Sequence, residues 1–349
     1  MAVPNQEVGF GILGTGMVAD YHRQAIAANA GLGARLVAVG HYRRDCFAEI
    51  GDRFGVPCLN EADLLAHPGV DVVCICTPSG QHAEQAIAAA TAGKHLLVEK
   101  PLAIDLGDAD AMIAACEEAR VRLGVTLQRR ALPLFQKIRQ AIEAGDLGEL
   151  ILGTITMPYY RPQEYYDQAA WRGTWALDGG GVLMNQGIHL VDLLVWYMGD
   201  PVQVHARAET LYHDIEVEDV LAAILGFASG ARASITATTN ADPGAPHRLE
   251  LYGTRGYIQI EGEVAVRWEL SDPAGAAVTP IVGAGGEAGA SADPRGIQPT
   301  GHIGIFRDFI LALREDRPFY LDGVEGRRSL AAVLAIYKAA GIGPETTGD

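Results

Sequence analysis

Short, continuous apolar segments alternate with helix-like segments through the first third of the chain, and this alternation most constrains the fold. The apolar segments are residues 8–13, 36–39, 70–77, 95–98 and 123–128. They lack the polar alternation of a half-exposed strand, which predicts buried strands of a parallel sheet. Helix-like segments lie between or after them, at 19–30, 45–54, 61–66, 81–92 and 105–119. We therefore predict an α/β nucleotide-binding type of domain over residues 1–127.

After residue 128 the pattern changes to longer strand-like segments linked by turns, at 151–157, 202–209, 220–227, 231–237, 248–251, 257–260 and 264–270. Helices are predicted at 134–144, 303–314 and 326–340. These features indicate a second, α+β domain over residues 128–349 with a large, open, mainly antiparallel sheet. The terminal helix could pack back onto the first domain. Residues 273–301 are dense in Gly, Ala and Pro, which predicts a long loop, either a surface excursion or functional.

Composition excludes several classes of partner. The chain has 27 basic and 43 acidic residues and a net charge of −16, which repels nucleic acid and anionic membranes. It has neither a signal-peptide pattern in residues 1–10 nor an apolar stretch long enough to span a membrane, so we expect a cytoplasmic protein with small-molecule partners. The five cysteines are scattered and odd in number, which favours core thiols over disulfides or a metal site, and we predict no metal.

The turn after the first apolar segment has the pattern G-x-G-x-x-A, formed by Gly14, Thr15, Gly16, Met17, Val18 and Ala19. In this pattern the first glycine permits a tight turn, and the second lets backbone N–H groups approach a pyrophosphate at the start of a helix. A glycine turn without a ligand is the alternative. The order of strand, turn and helix favours a dinucleotide site.

The end of the second predicted strand bears on the choice of cofactor. The residues there are Gly40, His41, Tyr42, Arg43 and Arg44, and no carboxylate precedes Asp45. An acidic residue at this place binds the ribose of NAD, whereas an arginine accepts the extra phosphate of NADP. The two arginines favour NADP over NAD, unless they are solvated residues at the start of the next helix. Tyr42 could stack on adenine with either cofactor.

Glu99, Lys100 and Pro101 follow the apolar segment 96–98 directly. Ligands of open α/β sheets bind outside the carboxyl ends of the strands. Lys100 is therefore a candidate for direct contact with a substrate or cofactor.

A second glycine-rich stretch, Gly179 to Gly181, is followed by a helix-like segment that carries Asn185, His189 and Asp192. These three positions are spaced i, i+4 and i+7, which places them on one face of an α-helix. A histidine there could accept a hydroxyl proton, with Asp192 or Asn185 fixing its tautomer. A hydrogen-bonded structural histidine is the alternative.

At these residues the chain resembles the Gfo/Idh/MocA oxidoreductase family. The resemblance extends over nearly the whole length, through the G-x-G-x-x-A turn, Thr77-Pro78 with His82, Glu99-Lys100-Pro101 and the segment from Gly179 to His189. It implies a Rossmann domain, a second domain whose open sheet supports homodimers or homotetramers, and a pyranose, cyclitol or nucleotide-sugar substrate. It maps the catalytic positions to Lys100, Asn185 and His189. The same resemblance implies that Thr77, Pro78, His82, Glu99 and Gln128 line the cofactor cleft.

Asn185 departs from the family pattern, in which aspartate is frequent at this position. An amide can orient a neighbour by hydrogen bonding but offers no full negative charge. Asn185 followed by Gln186 resembles the branch of the family that includes sugar 3-dehydrogenases, some of which act on UDP-linked sugars.

Oxidation of a secondary alcohol requires that a hydride leave the carbon while a base takes the hydroxyl proton. We predict His189 as the base and Lys100 as a hydrogen-bond donor to the same oxygen. Burial beside a positively charged nicotinamide should lower the pKa of Lys100, so that Lys100 could be the base instead.

The stretch from Tyr159 to Trp175 is rich in aromatic and arginine residues. Aromatic rings pack against the C–H faces of sugars, and arginines bond their hydroxyls, so this stretch predicts a substrate pocket or a buttress between domains. The predicted pocket residues are Arg129, Tyr159, Tyr160, Arg161, Trp171, Arg172, Gln186 and Asp192, with His302 as a further candidate. Arg172 is also predicted to lie near the nicotinamide.

Three functional classes follow. The first is a sugar or cyclitol dehydrogenase that uses NAD(P)(H). The second is a redox-neutral glycosidase of the same architecture, which keeps NAD bound and forms no net reduced cofactor. The third is a non-catalytic sensor of sugar or cofactor, against which the presence of both Lys100 and His189 argues.

Overall fold

The computed structural model describes residues 7–271, 277–278 and 299–343. Its internal contacts divide the chain into two units, Met1–Ala131 with Gln298–Leu330, and Leu132–Ile297 with Ala331–Asp349. The first unit therefore extends four residues beyond the boundary predicted after residue 127. It also includes residues 298–330, which the sequence pattern assigned to the second domain.

The first unit contains a parallel sheet, as predicted, with six strands where the sequence pattern indicated five. Its strand order is β3-β2-β1-β4-β5-β6. The strands are β1 (Val8–Leu13), β2 (Ala34–Gly40), β3 (Cys58–Leu59), β4 (Val72–Ile75), β5 (His95–Val98) and β6 (Leu123–Val125). Every residue of β1 and β4 is buried, which explains their continuous apolar sequence. The strand order reverses at β1, and ligands of such sheets bind at this switch point.

Six helices lie entirely in the first unit: α1 (Met17–Ala28), α2 (Phe47–Phe54), α3 (Glu61–Leu65), α4 (His82–Thr91), α5 (Leu106–Ala119) and α9 (Thr300–Glu315). Helix α9 returns to the first unit because it packs against α1 and the sheet. The Asn29 side chain donates to the Ile303 carbonyl at 3.1 Å, and the Phe306 ring centroid lies 5.4 Å from that of Phe10. Helix α10 (Gly323–Ala340) begins in the first unit and ends in the second.

The second unit contains an eight-stranded mixed sheet of order β14-β13-β12-β11-β7-β10-β9-β8. Its strands are β7 (Leu150–Pro158), β8 (Pro201–Glu209), β9 (Val220–Phe227), β10 (Arg232–Thr238), β11 (Arg248–Gly253), β12 (Gly256–Glu261), β13 (Val264–Ser271) and β14 (Ala277–Val278). Strands β7 and β10 pair in parallel and the other neighbours are antiparallel, which confirms a mainly antiparallel sheet.

Helices α6 (Pro133–Glu143), α7 (Gln163–Asp167) and α8 (Ile188–Met198) belong to this second unit. Helix α8 covers one face of the sheet so closely that a Cβ on Gly153 of β7 would lie 2.9 Å from Leu194. Residues on the opposite face alternate with the buried ones, and Ile224 there is 57% exposed. One face of the sheet thus forms the core of the unit.

Three local predictions need correction. Gln128 lies in a 3-10 turn, Gln128–Ala131, and not in a strand, because β6 ends at Val125. The sequence pattern missed β3 and α7, which have two and five residues. The predicted loop 273–301 lies mostly outside the described residues, but residues 277–278 form strand β14 and the last two residues begin helix α9.

All five cysteines are described and are free thiols. Cys58, Cys74 and Cys116 are buried, as predicted for core thiols, whereas Cys46 and Cys76 are half-buried. Burial raises the pKa of the Cys74 and Cys116 thiols, which keeps them protonated. Within the described residues, no helix combines the length and apolar character that a membrane span requires.

Candidate active site

The turn between β1 and α1, which we call the first glycine loop (residues 14–16), has glycines in two different environments. Gly14 has φ +87°, and a Cβ there would lie 2.6 Å from the carbonyl oxygen of Cys76. Gly16 is the N-cap of α1, where no side chain caps the helix, and a Cβ there would meet nothing within 4 Å. The space beside the free helix N-terminus fits an anionic group such as a pyrophosphate.

A cleft of about 300 Å³ lies at the carboxyl ends of β1, β2 and β4, and we call it the rim cleft. Its lining includes Gly14, His41, Tyr42, Thr77 and Gln85. Three of these, Gly14, His41 and Thr77, are predicted cofactor residues that the fold brings together. Sequence reasoning missed Gln85, whose side-chain oxygen accepts the Thr77 hydroxyl at 2.6 Å. Its position in α4, three residues after His82, was the available signal.

The two arginines predicted to favour NADP are not among the residues that line the rim cleft. Arg43 forms a bidentate ion pair with Asp45, at 2.6 Å and 3.3 Å, and both side chains are more than half exposed. This hydrogen bond lowers the pKa of the Asp45 carboxyl. Arg44 begins a 3-10 turn that leads into α2. Arg43 thus has an anionic partner within the chain.

His82 at the start of α4 is buried between two loops of the first unit. Its Nδ1 lies 2.9 Å from the Pro101 carbonyl and its Nε2 lies 3.0 Å from the Thr77 carbonyl. Burial lowers the pKa of His82, so the ring is neutral near pH 7 and donates to one carbonyl at a time. His82 therefore braces the loops after β4 and β5, and Thr77-Pro78 and Lys100-Pro101 belong to those loops.

Glu99, directly before Lys100, lies in a buried cluster with His22 and His302. Glu99 Oε1 is 2.7 Å from His22 Nε2 and 3.5 Å from His302 Nε2, and Oε2 accepts the Lys100 N–H at 3.3 Å. Burial alone would raise the pKa of Glu99, but the hydrogen bonds from the two imidazoles outweigh it and hold the pKa well below its usual value. Burial also lowers the pKa of His22. The cluster is thus a carboxylate bound by imidazole N–H groups.

These three side chains are of metal-ligating types, and their ligand atoms lie within 4.8 Å of one another. However, Nδ1 of both His22 and His302 is buried without a hydrogen-bond partner among the described residues. A metal-bound imidazole normally donates its second N–H to an acceptor. With Nε2 on a metal, each ring would bury an unsatisfied N–H, so the arrangement fits a hydrogen-bonded carboxylate better than a metal centre.

Gln128 and Arg129 lie in the 3-10 turn that follows β6. The start of α9 packs against this turn, because a Cβ on Gly301 would lie 2.6 Å from the Gln128 carbonyl. The neighbouring Arg130, which the sequence did not single out, is 1% exposed and pairs with Glu325 at 2.5 Å. Arg130 anchors the turn that carries the two predicted residues.

The second unit contains another glycine-rich turn, the second glycine loop (residues 179–181), and here the chain fills it with its own carboxylate. Glu218 accepts N–H groups from Gly181 at 2.8 Å and Leu183 at 2.9 Å, and the Tyr337 hydroxyl at 2.8 Å. A Cβ on Gly181 would lie 1.7 Å from the Glu218 carbonyl oxygen. Burial raises the pKa of Glu218 to about 7, against the effect of these hydrogen bonds.

The segment after this loop, Val182–Gly187, is a π-helix that leads into α8. Asn185 lies in the π-helix, whereas His189 and Asp192 lie in α8, so the predicted α-helical face shared by all three is wrong for Asn185. The π-helix has more residues per turn than an α-helix, which changes the direction of each side chain. His189 and Asp192 remain one α-turn apart and are 9% and 1% exposed.

Asp178, four per cent exposed, connects two predicted parts of the second unit. Its Oδ1 accepts the Asn185 side-chain amide at 2.7 Å, and its Oδ2 accepts the N–H of Gly173, next to Arg172, at 2.9 Å. Sequence reasoning did not select Asp178. Its position directly before the second glycine loop was the only signal.

The aromatic and arginine-rich stretch from Tyr159 to Trp175 contains both buried and half-buried side chains. Tyr159 and Arg161 are 4% and 5% exposed, and the Tyr159 hydroxyl lies 3.0 Å from His247 Nδ1. The Arg172 guanidinium lies over the rings of Tyr165 and Trp171, at 4.3 Å and 4.7 Å. Tyr159 and Arg161 thus have the burial of a structural support, whereas Trp171 and Arg172 are only half-buried.

Among the predicted residues of the second unit, Arg172 and Gln186 have buried polar atoms, Nε and Oε1 respectively, without a hydrogen-bond partner among the described residues. Buried polar atoms are normally satisfied, and a bound polar ligand is one way to satisfy them.

Comparison with known proteins agrees with this geometry. Residues 8–127 match the model of an oxidoreductase family with an NAD-binding Rossmann fold, and residues 135–259 match the GFO/IDH/MocA C-terminal domain. The inositol 2-dehydrogenase of Rhizobium meliloti (strain 1021) is 31% identical over 271 residues, which cover 76% of this chain and 78% of the relative. The chain belongs to the Gfo/Idh/MocA family.

Solved structures of similar proteins cover almost the entire Gfo/Idh/MocA chain described here. The WlbA dehydrogenase of Bordetella pertussis, in complex with NADH and UDP-GlcNAcA, is 34% identical with a TM-score of 0.84, over 96% of this chain and 97% of that one. A levoglucosan dehydrogenase in complex with NADH and levoglucosan is 26% identical with a TM-score of 0.82, over the same shares. Both of those structures contain NADH.

Proposed function

We propose that the protein is an NAD(P)-dependent oxidoreductase that moves a hydride between a secondary alcohol of a sugar, cyclitol or nucleotide sugar and the nicotinamide. The observation that carries this proposal is the first glycine loop, where the free N-terminus of α1 and the space beside Gly16 fit a pyrophosphate. The substrate class is supported by relatives that act on inositol and by related structures that contain UDP-GlcNAcA or levoglucosan.

The cofactor would be held by backbone N–H groups of residues 15–18 and by His41, Tyr42 and Thr77 in the rim cleft. Bound there, it supplies or accepts the hydride. The braced loops after β4 and β5 would keep Pro78, Glu99 and Lys100 in place, because His82 joins the two loops. Gln128 and Arg129 would extend this set from the 3-10 turn anchored by Arg130.

We propose that His189 is the base that accepts the hydroxyl proton and that Lys100 donates a hydrogen bond to the reacting oxygen. The alternative is that Lys100 is the base. His189 is buried and lies on α8, which packs on a closely packed sheet, so its orientation is fixed by the surrounding core. Arg172, Gln186 and Trp171 are the proposed substrate contacts, because Arg172 and Gln186 have polar groups that the described residues leave unsatisfied.

For the choice between NAD and NADP, the structure adds an argument against the preference drawn from Arg43 and Arg44. A 2′-phosphate would compete with Asp45 for the Arg43 guanidinium. Similar structures hold NADH. These observations favour NAD(H), and the binding of NADP(H) through the two arginines stays a prediction that needs measurement.

We also propose that the protein forms homodimers or homotetramers through the outer face of the second-unit sheet. This face carries exposed apolar side chains, including Leu152 at 41% and Ile224 at 57%, beside an open groove of about 390 Å³. Association would cover this surface. Sedimentation velocity tests the proposal, and a monomer at micromolar concentration would contradict it.

The function is tested by following the absorbance of reduced cofactor with purified protein, NAD or NADP, and a panel of sugars, cyclitols, glycosides and UDP-sugars. We expect reduction with at least one substrate class. Lys100→Ala and His189→Ala should each lower kcat about 100-fold or more while cofactor affinity stays within about threefold. Lys338→Ala, an exposed position near the end of α10, is the control and should retain wild-type kcat.

Two outcomes would contradict the proposal or part of it. Absence of reduction across the panel, with nicotinamide cofactor still bound to the purified protein, would favour the redox-neutral glycosidase. Retention of turnover in Lys100→Ala or His189→Ala would remove that residue from the mechanism.

A further inference from the structure

Asp178 is placed to determine which end of the Asn185 amide faces the reacting groups. Its carboxylate is 4% exposed, and its Oδ1 lies 2.7 Å from Asn185 Nδ2. An ionised carboxylate only accepts hydrogen bonds, whereas an amide has one donor branch and one acceptor branch. The donor branch of Asn185 must therefore face Asp178, and the carbonyl oxygen Oδ1 is the other branch.

The same carboxylate also fixes the turn that carries Arg172. Its Oδ2 accepts the Gly173 N–H at 2.9 Å, so its two oxygens have separate partners. Rotation of the carboxyl group is restrained from both sides. Asp178 thus links the positions of Asn185 and of the turn after Arg172.

We propose that Asp178 is a positioning residue, which makes Asn185 present its amide oxygen as a hydrogen-bond acceptor at the active site. The proposal rests on the proposed function, because it takes Asn185 to be part of the catalytic set. A hydrogen bond from the amide to a buried anion also polarises the amide and makes its oxygen a stronger acceptor. The negative charge that Asn185 lacks is thus supplied from position 178.

A positioning role and a purely structural role of Asp178 predict different activities when the residues at 178 and 185 are exchanged. In Asp178→Asn, the new amide can keep the Gly173 bond through its oxygen, but its NH₂ then faces the NH₂ of Asn185. To avoid two facing donors, Asn185 must turn its oxygen toward position 178 and present a donor to the site. In the double variant Asp178→Asn, Asn185→Asp, the pair is complementary again and position 185 presents an acceptor.

The experiment compares Asp178→Asn, Asn185→Asp and the double variant with wild type, by steady-state kinetics, cofactor affinity and thermal unfolding. We expect Asp178→Asn to lower kcat about 100-fold, with KM and cofactor affinity within about threefold, as for loss of one oriented polar group at a reaction centre. Asn185→Asp places two carboxylates side by side and should lower both kcat and the unfolding midpoint. The double variant should recover kcat to within about tenfold of wild type.

Glu216→Gln is the matched control. Glu216 is an exposed residue whose carboxylate accepts the backbone N–H of Trp175 at 3.0 Å in the same part of the unit, and no hydrogen bond among the described residues joins its side chain to Arg172, Asn185 or Gln186. Its kcat should equal that of wild type.

Wild-type kcat in Asp178→Asn, or a double variant as inactive as Asp178→Asn, would overturn the positioning role while leaving the proposed function intact. A wild-type protein that reduces no cofactor across the substrate panel would overturn the proposed function and this proposal together. The unfolding midpoints separate these cases from loss of structure. A double variant with a midpoint several degrees above that of Asn185→Asp shows that the hydrogen-bonded pair exists.

Discussion

The two glycine loops of this protein both precede helices, but they differ in what lies beside their backbone N–H groups. The first glycine loop leaves the N-terminus of α1 without a side-chain cap and leaves open space beside Gly16. In the second glycine loop, the N–H groups of Gly181 and Leu183 donate to Glu218. The first loop is therefore suited to an anion brought by a ligand, whereas the second binds a carboxyl group of the protein itself.

This difference shows that a glycine-rich turn before a helix indicates a site for an acidic group, but does not indicate whether a ligand or the protein supplies that group. Backbone N–H groups at a helix start attract any negative group. At the second loop that group is the side chain of Glu218, which lies in the loop between β8 and β9, 37 positions after Gly181 in sequence. Such a distant partner leaves no local pattern.

Replacing one glycine of each loop with alanine is the strongest test of the difference between the two loops. In Gly181→Ala the new Cβ would lie 1.7 Å from a backbone oxygen of Glu218, which cannot move aside easily. We expect a loss of about 4 kcal/mol or more of unfolding free energy, or no folded protein. In Gly16→Ala the Cβ meets no protein atom within 4 Å. That variant should unfold within about 1 kcal/mol of wild type but lose roughly tenfold or more in cofactor affinity.

Chemical denaturation and fluorescence titration with NADH measure the two effects separately. A folded, stable Gly181→Ala would show that the second loop is not filled as described. Unchanged cofactor affinity in Gly16→Ala would remove the first loop from the cofactor site.

A second contrast concerns the two buried glutamates, Glu99 and Glu218, which are 7% and 2% exposed. Imidazole N–H groups keep Glu99 charged, with a pKa well below its usual value. Its favourable contribution to stability is therefore present above the usual glutamate pKa and is lost as pH falls through the lower, folded pKa. The pKa of Glu218 is raised to about 7 by burial, so its folded form binds a proton more tightly than the unfolded chain. Its contribution is lost as pH rises from about 4.5 to about 7.

We therefore predict opposite pH dependence for Glu99→Gln and Glu218→Gln. Relative to wild type, the stability deficit of Glu218→Gln should shrink between pH 5 and pH 8, by up to about 3 kcal/mol. The deficit of Glu99→Gln should grow as pH rises from acid toward pH 5 and then stay constant. Denaturant unfolding from about pH 2.5 to pH 8 measures both. Parallel pH profiles for the two variants would show that burial, and not the type of hydrogen-bond donor, controls both carboxyl groups.

The fold was largely predictable because hydrophobic periodicity is a local signal. Strands β1, β5 and β9 have the predicted bounds, and the parallel and mainly antiparallel sheets follow from continuous and alternating patterns. The short strand β3 and helix α7 were missed because two or five residues carry no measurable period. The return of α9 to the first unit depends on packing against α1, which a helical pattern does not encode.

The candidate site was predictable where motifs are contiguous, and not where side chains meet through the fold. Gly14, His41 and Thr77 were selected from three separate strand ends and line one cleft. Three other residues have partners that are distant in sequence. His22 bonds to Glu99, 77 positions away, Glu218 to Gly181, 37 positions away, and Asp178 to Asn185, 7 positions away. The π-helix that carries Asn185 begins beside these buried contacts, since Glu218 and Tyr337 accept the N–H groups of Leu183 and Met184, and no local sequence pattern indicated it.

The smallest predicted effect concerns the end of β2. Like the second glycine loop, this strand end already has an acidic partner from the chain, because Arg43 forms an ion pair with Asp45. If a 2′-phosphate binds there, it must replace Asp45 on an exposed guanidinium, and such contacts are weak in water. Replacing Arg43 and Arg44 with alanine should therefore weaken NADP binding more than NAD binding, by about threefold to tenfold. Asp45→Asn should have the reverse effect, since it releases Arg43 and removes a negative charge near the phosphate. Equal changes in NAD and NADP affinity, measured by fluorescence titration at fixed ionic strength, would show that this strand end does not select the cofactor, and that Arg43 and Asp45 serve only each other.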